Sequence, residues 1–324
     1  MDKIKVLHVV NIANMSYTIK DKMNTLGYDI TIIDQPNQYG FYADVFVPVI
    51  DWGSEDNSTP FTFILKKISP IINKIWFTFN VIPYIMKNDI IHFNWRTLDP
   101  ILALDVPILK LLGKKVIVHR RGSEIRGKKE KPLINKYADK ILCATPDLLD
   151  YTPNAEWLPL PIDTHYIKYV GEPRKDKEII ICHASTHRER KGTEDVIKAV
   201  ESLQGKYKIK LVLVENMLKP HALVQYQKAH IIIDQLKIGW YANFSQEAMA
   251  MGKPTFCYIR KDLYTSNNPI INCNKNSLAE KLEDYIIKKK LRIKTGIKSR
   301  EYVTKKHGLT NICLRLKEIY KGES

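Results

Sequence analysis

Short apolar runs alternate along the chain with stretches whose apolar residues recur every three or four positions, and the alternation persists from end to end. That pattern predicts parallel strands covered by helices, an α/β architecture. In the first half the predicted strands are 4–10, 29–33, 45–47, 90–93, 115–119 and 140–144, with a helix over 16–26 that Gly27 ends. The second half restarts with strands at 179–183, 209–214, 231–234 and 255–259. Between the first two of these, Val196, Ile197, Val200 and Leu203 form the apolar stripe of a helix. From about Ser277 onward the pattern is helical and basic.

A polar stretch over 159–177, punctuated by Pro159, Pro161, Gly171 and Pro173, reads as an interdomain linker. The expected division is an N-terminal domain over 1–165, a second domain over 166–300, and a helical tail over 301–324 that packs back on the first. Two successive α/β domains place a cleft at the carboxyl ends of their strands, where open sheets bind ligands. The apolar region 61–86 is interrupted by Lys66, Lys67 and Lys74 and divided by Pro70 and Pro83, which leaves runs too short to span a bilayer. It fits a buried helix pair or a segment lying on a membrane surface.

Composition narrows the picture. The 324 residues are 44% hydrophobic, enough for two ordinary cores, and 51 basic against 35 acidic residues give a formal charge of +16. Such a charge favours an anionic partner: a phosphate-bearing small molecule, anionic lipid or nucleic acid. No nucleic-acid recognition motif or repeated aromatic platform accompanies it, so nucleic acid is not expected. The cysteines at 143, 182, 257, 273 and 313 form no C-x-x-C pair and sit mostly in apolar runs, as buried thiols of a reducing compartment do. The first residues read as a β-strand, not a secretory signal. The sequence contains no D-x-D, no H-E-x-x-H and no clustered Cys/His ligands, and no metal is expected.

The chemistry concentrates at two places in the second half. Ser185 to Thr193 leaves a strand and opens a helix, so backbone N–H groups and the helix dipole can meet a phosphate. Lys191 offers a mobile point charge there, Arg188 and Arg190 offer forked donors, and Gly192 clears space. A solvated basic loop capped by Thr193 fits the same residues. Downstream, Asn243 stands three residues before Gln246 in capping-box spacing, Gly252 stops the short helix, and Glu247 falls near its start. A carboxylate at that place can accept hydrogen bonds from sugar hydroxyls, or simply favour the helix dipole.

Glu247-Ala-Met-Ala-Met-Gly-Lys-Pro254 resembles the E-A-M-A-x-G-x-P signature of glycosyltransferase family 4, and Lys191-Gly192 resembles that family's K-G. Ile90 to Trp95, Gly122 to Arg126, Leu158 to Asp163 and Ala229 to Asp234 extend the likeness over nearly the whole chain. The resemblance implies the GT-B architecture, two Rossmann-like domains with parallel sheets facing a deep interdomain cleft. It implies a metal-independent, retaining transfer from a nucleoside-diphosphate sugar to a glycan or lipid-linked acceptor. Related enzymes build bacterial capsule, lipopolysaccharide and other surface polysaccharides in the cytoplasm or peripherally on the inner face of the cell membrane, and an anionic membrane surface is an expected partner. Lys191 and a neighbouring arginine would neutralise the diphosphate and Glu247 would hold the ribose, with Gly192, Asn243, Phe244 and Ser245 completing the nucleotide site.

In the first half, Asn11 and Asn14 follow the first strand and offer amides to a ligand, while His119 and Arg121 share one face of a strand end. Either of the latter can approach a leaving diphosphate, and Arg126 can pair with Glu124 to brace the loop. Their segment is also basic enough to be a solvated or membrane-facing surface. Three departures from the family pattern stand out: Gly239 where a glutamate is usual, Arg121 where a histidine is usual, and Ser185 and Thr186 in the range usually holding an arginine. They leave room for a catalytically inactive nucleotide-sugar-binding protein, and a glycoside phosphorylase or hydrolase is a further alternative.

Overall fold

Runs such as Ile4–Val9 and Ile179–Ala184, rich in Ile and Val, become central strands of two separate parallel sheets. A computed structural model describes residues 3–36, 41–50, 60–173 and 178–323 of the protein. The chain divides into two compact units, Met1–Ala144 with Leu148–Leu158 and Cys313–Ser324 in the first, and Thr145–Asp147 with Pro159–Ile312 in the second. Of the stretch read as a linker, residues up to 173 belong to the second unit, and 174–177 lie outside the described residues.

Unit 1 runs β1 (Ile4–Val9), α1 (Met15–Thr25), β2 (Tyr28–Asp34), β3 (Val45–Phe46), α2 (Pro60–Lys87), β4 (Ile90–Phe93), α3 (Asp105–Leu111), β5 (Lys115–Arg120), α4 (Pro132–Tyr137), β6 (Lys140–Cys143) and β7 (Glu156–Trp157). Gly27, at φ 94°, ends the first helix as its sequence foretells. The sheet order is β3-β2-β1-β4-β5-β6-β7 with parallel neighbours, so the chain reverses direction across the sheet between β1 and β4. Alternation along the strands sorts side chains onto two faces. Leu7, Val9, Ile91, Phe93, Val116 and Val118 join Val81 and Ile85 of α2 and Val106 and Leu109 of α3 in one apolar core. His8, His92 and His119 have the opposite parity and project from the other face, with His8 registered directly beside His92.

The stretch expected as a helix pair is one helix, α2, with Pro70 and Pro83 inside it. Each proline removes one intrahelical donor. Phe77, Val81, Tyr84 and Ile85 anchor the helix on the core, and burial there outweighs the missing bonds.

Unit 2 runs β8 (Ile179–Ala184), α5 (Arg188–Lys191), α6 (Thr193–Gln204), β9 (Ile209–Val214), α7 (Lys219–Lys228), β10 (Ile231–Ile233), α8 (Asn243–Ala250), β11 (Thr255–Cys257), β12 (Ile271–Asn272), α9 (Leu278–Ile287) and α10 (Lys289–His307). A last helix, α11 (Leu309–Lys321), continues into unit 1 from Cys313. The sheet order is β12-β11-β10-β8-β9, again parallel, with its reversal between β8 and β10. Val196, Val200 and Leu203 of α6 pack with Ile181, Ile231 and Phe256, while Ile197, the fourth residue of the predicted stripe, is only half-buried and lies outside this cluster. Helix α10 crosses α8 closely at Gly296, where a Cβ would come within 2.1 Å of the Gly252 carbonyl oxygen. The five cysteines are buried free thiols.

Candidate functional site

In doubly wound sheets the loops on either side of the reversal leave in opposite directions and open a crevice at the strands' carboxyl ends. In each unit the unusual polar residues collect at that point.

In unit 2 the reversal lies between β8 and β10. His183, at the end of β8, donates from Nδ1 to the Ile233 carbonyl at 2.9 Å and so accepts the Thr193 hydroxyl on Nε2, also at 2.9 Å. Burial keeps that imidazole below its usual pKa, with the neighbouring Lys191 charge adding to the shift. Thr193 therefore braces the strand rather than capping α6. Gly192 makes the joint between α5 and α6 in the left-handed region at φ 75°, and a Cβ there would crowd Leu236 at 3.3 Å.

Lys191 is less mobile than its sequence context suggests. Its ammonium pairs with Asp234, which is fully buried at the end of β10, and its carbonyl accepts the Leu236 N–H at 2.9 Å. The second Asp234 oxygen accepts the Ser245 hydroxyl at 2.7 Å. One buried carboxylate thus ties the lysine loop to the first turn of α8. Asp234 was visible in the sequence only as the last residue of a strand; an acidic residue closing an all-isoleucine run is the signal that finds it.

Asn243 does not cap α8. The helix begins at Asn243 itself, after an extended Ala242, and no side chain caps it. The N–H groups of Asn243, Phe244 and Ser245 precede the first intrahelical bond, from Gln246 to Ala242 at 3.1 Å. The Phe244 side chain packs on Tyr226 with ring centroids 4.6 Å apart and the Ser245 hydroxyl is bonded to Asp234, so both side chains are engaged within unit 2. Glu247, buried one turn along, pairs with Lys219 of α7 at 2.7 Å. Arg188 lies between Glu194 and Glu215, at 2.7 and 2.8 Å, and Arg190 is exposed on the same turn. Lys253, inside the family signature, is fully buried and donates to the Gly171 and Gln227 carbonyls at 2.7 and 2.8 Å. Burial lowers its pKa to about 8, against the opposing charge of Glu172. Its task is to hold two chain segments together.

In unit 1 the reversal lies between β1 and β4. Asn11 and Asn14, expected to face a ligand, are consumed locally: Asn11 accepts the Ser16 N–H at 2.9 Å and donates to Asn14 and to the Tyr42 carbonyl. The backbone is strained around the same strand ends at Val10, φ 69°, and Trp95, φ 151°, while Gly122 takes φ 147°, which glycine allows. Glu124 accepts the N–H groups of Arg121 and Gly122, so its carboxylate shapes the loop directly. Arg120 turns to the opposite face and forms a buried forked pair with Glu130, one arm at 2.6 Å.

His119 and Arg121 do share a face, and they end a hydrogen-bond chain of fixed polarity. Arg121 Nη2 donates to the Asn94 oxygen, since a guanidinium has no acceptor. The Asn94 amide nitrogen then donates to His8 Nδ1 at 3.1 Å, which places the His8 proton on Nε2. His8 Nε2 donates to the Tyr320 hydroxyl at 2.8 Å, and Tyr320 donates to His92 Nδ1 at 2.7 Å. His92 Nε2 in turn meets His119 Nδ1 at 3.4 Å, leaving the His119 proton on Nε2. His119 Nε2, Arg121 Nε and Arg121 Nη1 are buried without a partner among the described residues. All three are donors. Burial, reinforced by the Arg121 charge, lowers His8 to about 3 and holds His119 well below the usual range; burial likewise depresses His92. Arg121, lowered by burial to about 10, keeps its charge at neutral pH.

Among the described residues no three His, Cys, Asp or Glu side chains are grouped to hold a metal ion.

Two Rossmann-like α/β units, each with a parallel sheet, define the fold class: this is the GT-B architecture. Solved structures agree over the full length. The sucrose-phosphate synthase from Thermosynechococcus elongatus superposes with a TM-score of 0.65 at 13% identity, covering 98% of each chain. Anabaena HepE in complex with UDP-glucose gives 0.65 at 10% identity over 98% of this chain and 99% of that one. The lipopolysaccharide outer core galactosyltransferase WaaB gives 0.62 at 12% identity over 99% and 100%. No protein-family model matches the sequence, and neither does any curated protein.

Proposed function

We propose that the protein is a glycosyltransferase that moves a sugar from a nucleoside-diphosphate sugar to a hydroxyl of a glycan or lipid-linked acceptor, without a metal and with retention of configuration. The observation that carries this reading is the convergence, around buried Asp234, of the Lys191 ammonium and the uncapped start of α8, with the Glu247 carboxylate one turn further on. Cation and free N–H groups suit a diphosphate, and a carboxylate beside them suits ribose hydroxyls. Arg188 or Arg190 adds charge from the neighbouring turn. The acceptor oxygen bonds to the anomeric carbon as that carbon's bond to the diphosphate breaks; the electron pair leaves with the diphosphate, and the acceptor proton ends on it or on solvent. His119 and Arg121 present donors only, which suits an oxygen gaining negative charge. That HepE is seen with UDP-glucose supports the donor class. We place the enzyme in surface-polysaccharide assembly, in the cytoplasm or on the inner face of the cell membrane.

The test uses nucleotide-sugar-dependent thermal shifts. Lys191→Ala alone strands the Asp234 charge and endangers the fold, so Lys191→Ala/Asp234→Asn is the informative protein. It is expected to fold and to lose the shift that uridine, guanosine or adenosine diphosphate sugars give the parent. A shift surviving in the double variant removes Lys191 from the site. Binding by the parent with no transfer to any acceptor would instead make it a nucleotide-sugar-binding protein.

A further inference from the structure

Helix α2 is apolar on two sides. One side, with Val81 and Ile85, is in the unit 1 core. The other faces solvent and carries Ile68, Ile71, Ile75, Phe79, Ile82 and Met86, a stripe recurring every three or four residues. Phe79 is 65% exposed and Ile71 59%. An ordinary surface helix is polar there. The stripe extends along about 27 Å of helix at 1.5 Å per residue.

A second apolar group lies beside it. Ile101 and Leu102 precede α3, and Ile108 and Leu111 lie on it; Ile101 is 75% exposed and Leu111 88%. A contact at one end and the reach of a charge at the other bring the two segments together. Lys114, just past α3, donates to the Met86 and Asn88 carbonyls at 3.1 and 2.8 Å. At the other end, burial raises the Asp99 carboxyl but is outweighed by the N–H groups of Ile101, Leu104 and Leu102 and by the charge of Lys74 of α2, so it ionises more readily than usual. The two groups therefore sit on neighbouring segments packed on one core, and together they offer more apolar surface than the scattered residues normal on a monomer.

Charge identifies the occupant. Helix α2 contains Lys66, Lys67, Lys74 and Lys87 and no acidic residue. Beyond it, the carboxylates of Asp99 and Asp105 are turned to backbone N–H groups. A second copy packed on this face about a two-fold axis would set lysines against lysines. An apolar stripe flanked by lysines matches a bilayer that contains anionic phospholipid: side chains enter the acyl boundary and ammonium groups meet the headgroups. No helix among the described residues is long and apolar enough to cross a membrane.

We propose that the α2 stripe and the 101–112 segment form a membrane-docking face on unit 1 that rests on anionic phospholipid. This names the surface that the membrane placement proposed above would use, and its test does not depend on glycosyl transfer.

The full chain is sedimented with vesicles of phosphatidylcholine alone and of phosphatidylcholine with phosphatidylglycerol, at low and high salt. Binding is expected on the mixed vesicles, weakened by salt and at least tenfold weaker for Phe79→Glu/Leu111→Glu. Both side chains are exposed, so this variant keeps the parent's circular dichroism and nucleotide-induced shift. Equal sedimentation of variant and parent, or no sedimentation of the parent, overturns the proposal. So does a concentration-dependent dimer that the variant abolishes, which would assign the face to a second copy.

Discussion

Acidification should open unit 1 through its buried histidines. His8, His92 and His119 are held neutral in the folded protein, first by burial, with the Arg121 charge acting on all three. Besides one another they face Tyr320 from α11, Ser16 from α1, and Asn94 and Arg121; Glu124 acts on Arg121 from the adjoining loop. Their folded pKa values lie below the ordinary 6.5, so unfolded chains take up protons that folded ones refuse, and stability is lost as pH falls from about 6.5 toward the folded values. At pH 5, about 1.5 units below the unfolded pKa, His8, held at about 3, costs about 2 kcal/mol at 1.36 kcal/mol per unit. His92 and His119 shift in the same direction, and even the His8 contribution is a sizeable share of the 5–15 kcal/mol that stabilises a typical domain. Buried Asp34 and Asp105, raised by burial, act with the opposite sign and offset part of this. The assay is amide hydrogen exchange in β1, β4 and β5 between pH 7.5 and 5, corrected for intrinsic rates. Protection in those strands that stays constant across the range would show that the histidines are not buried and neutral as described.

Two further substitutions probe unit 2. Gly296→Ala inserts a methyl group against the Gly252 carbonyl and should destabilise by about 1–3 kcal/mol; an unchanged denaturation midpoint would mean that α8 and α10 have slack at this crossing. Glu247→Gln keeps the shape and removes the charge, so the donor KM should rise about tenfold, as for one charge-assisted hydrogen bond. Normal donor kinetics would leave Glu247 a partner of Lys219 and nothing more.

How much was readable in advance follows from where the partners lie along the chain. The strands and the glycines at 27, 192 and 252 are set by local periodicity and local φ, so they are legible in a window of a few residues. His119 and Arg121 were also findable, because alternation along a strand is local. Tyr320 was not: it meets His8 from 312 residues away, and no pattern near either residue reports the other. Lys253 was hidden differently. A lysine in a polar loop and one solvated by two carbonyls are the same letter, and the fold decides between them. The outward stripe of α2 was obscured because a helix apolar on both sides shows apolar residues at nearly every position, and a run like that does not say which side is covered.

Gly239 shows how backbone shape constrains the chemistry. The family pattern places a glutamate there, which invites the view that a catalytic group was simply lost. The surrounding loop argues otherwise. Gln235 donates to the Trp240 and Tyr258 carbonyls and accepts the Lys237 and Ile238 N–H groups, fixing the turn from within. Residue 239 then sits at φ 97°, with the Arg260 side chain 2.9 Å from where a Cβ would be, and Arg260 donates its backbone N–H to the 239 carbonyl at 3.0 Å. A glutamate would face both backbone strain and a clash. The missing carboxylate is thus a property of the whole 235–241 turn, and one substitution cannot restore it. Any glutamate at 239 would therefore require the Gln235 bonds and the Arg260 side chain to rearrange together, so the departure from the family pattern is built into the loop's backbone.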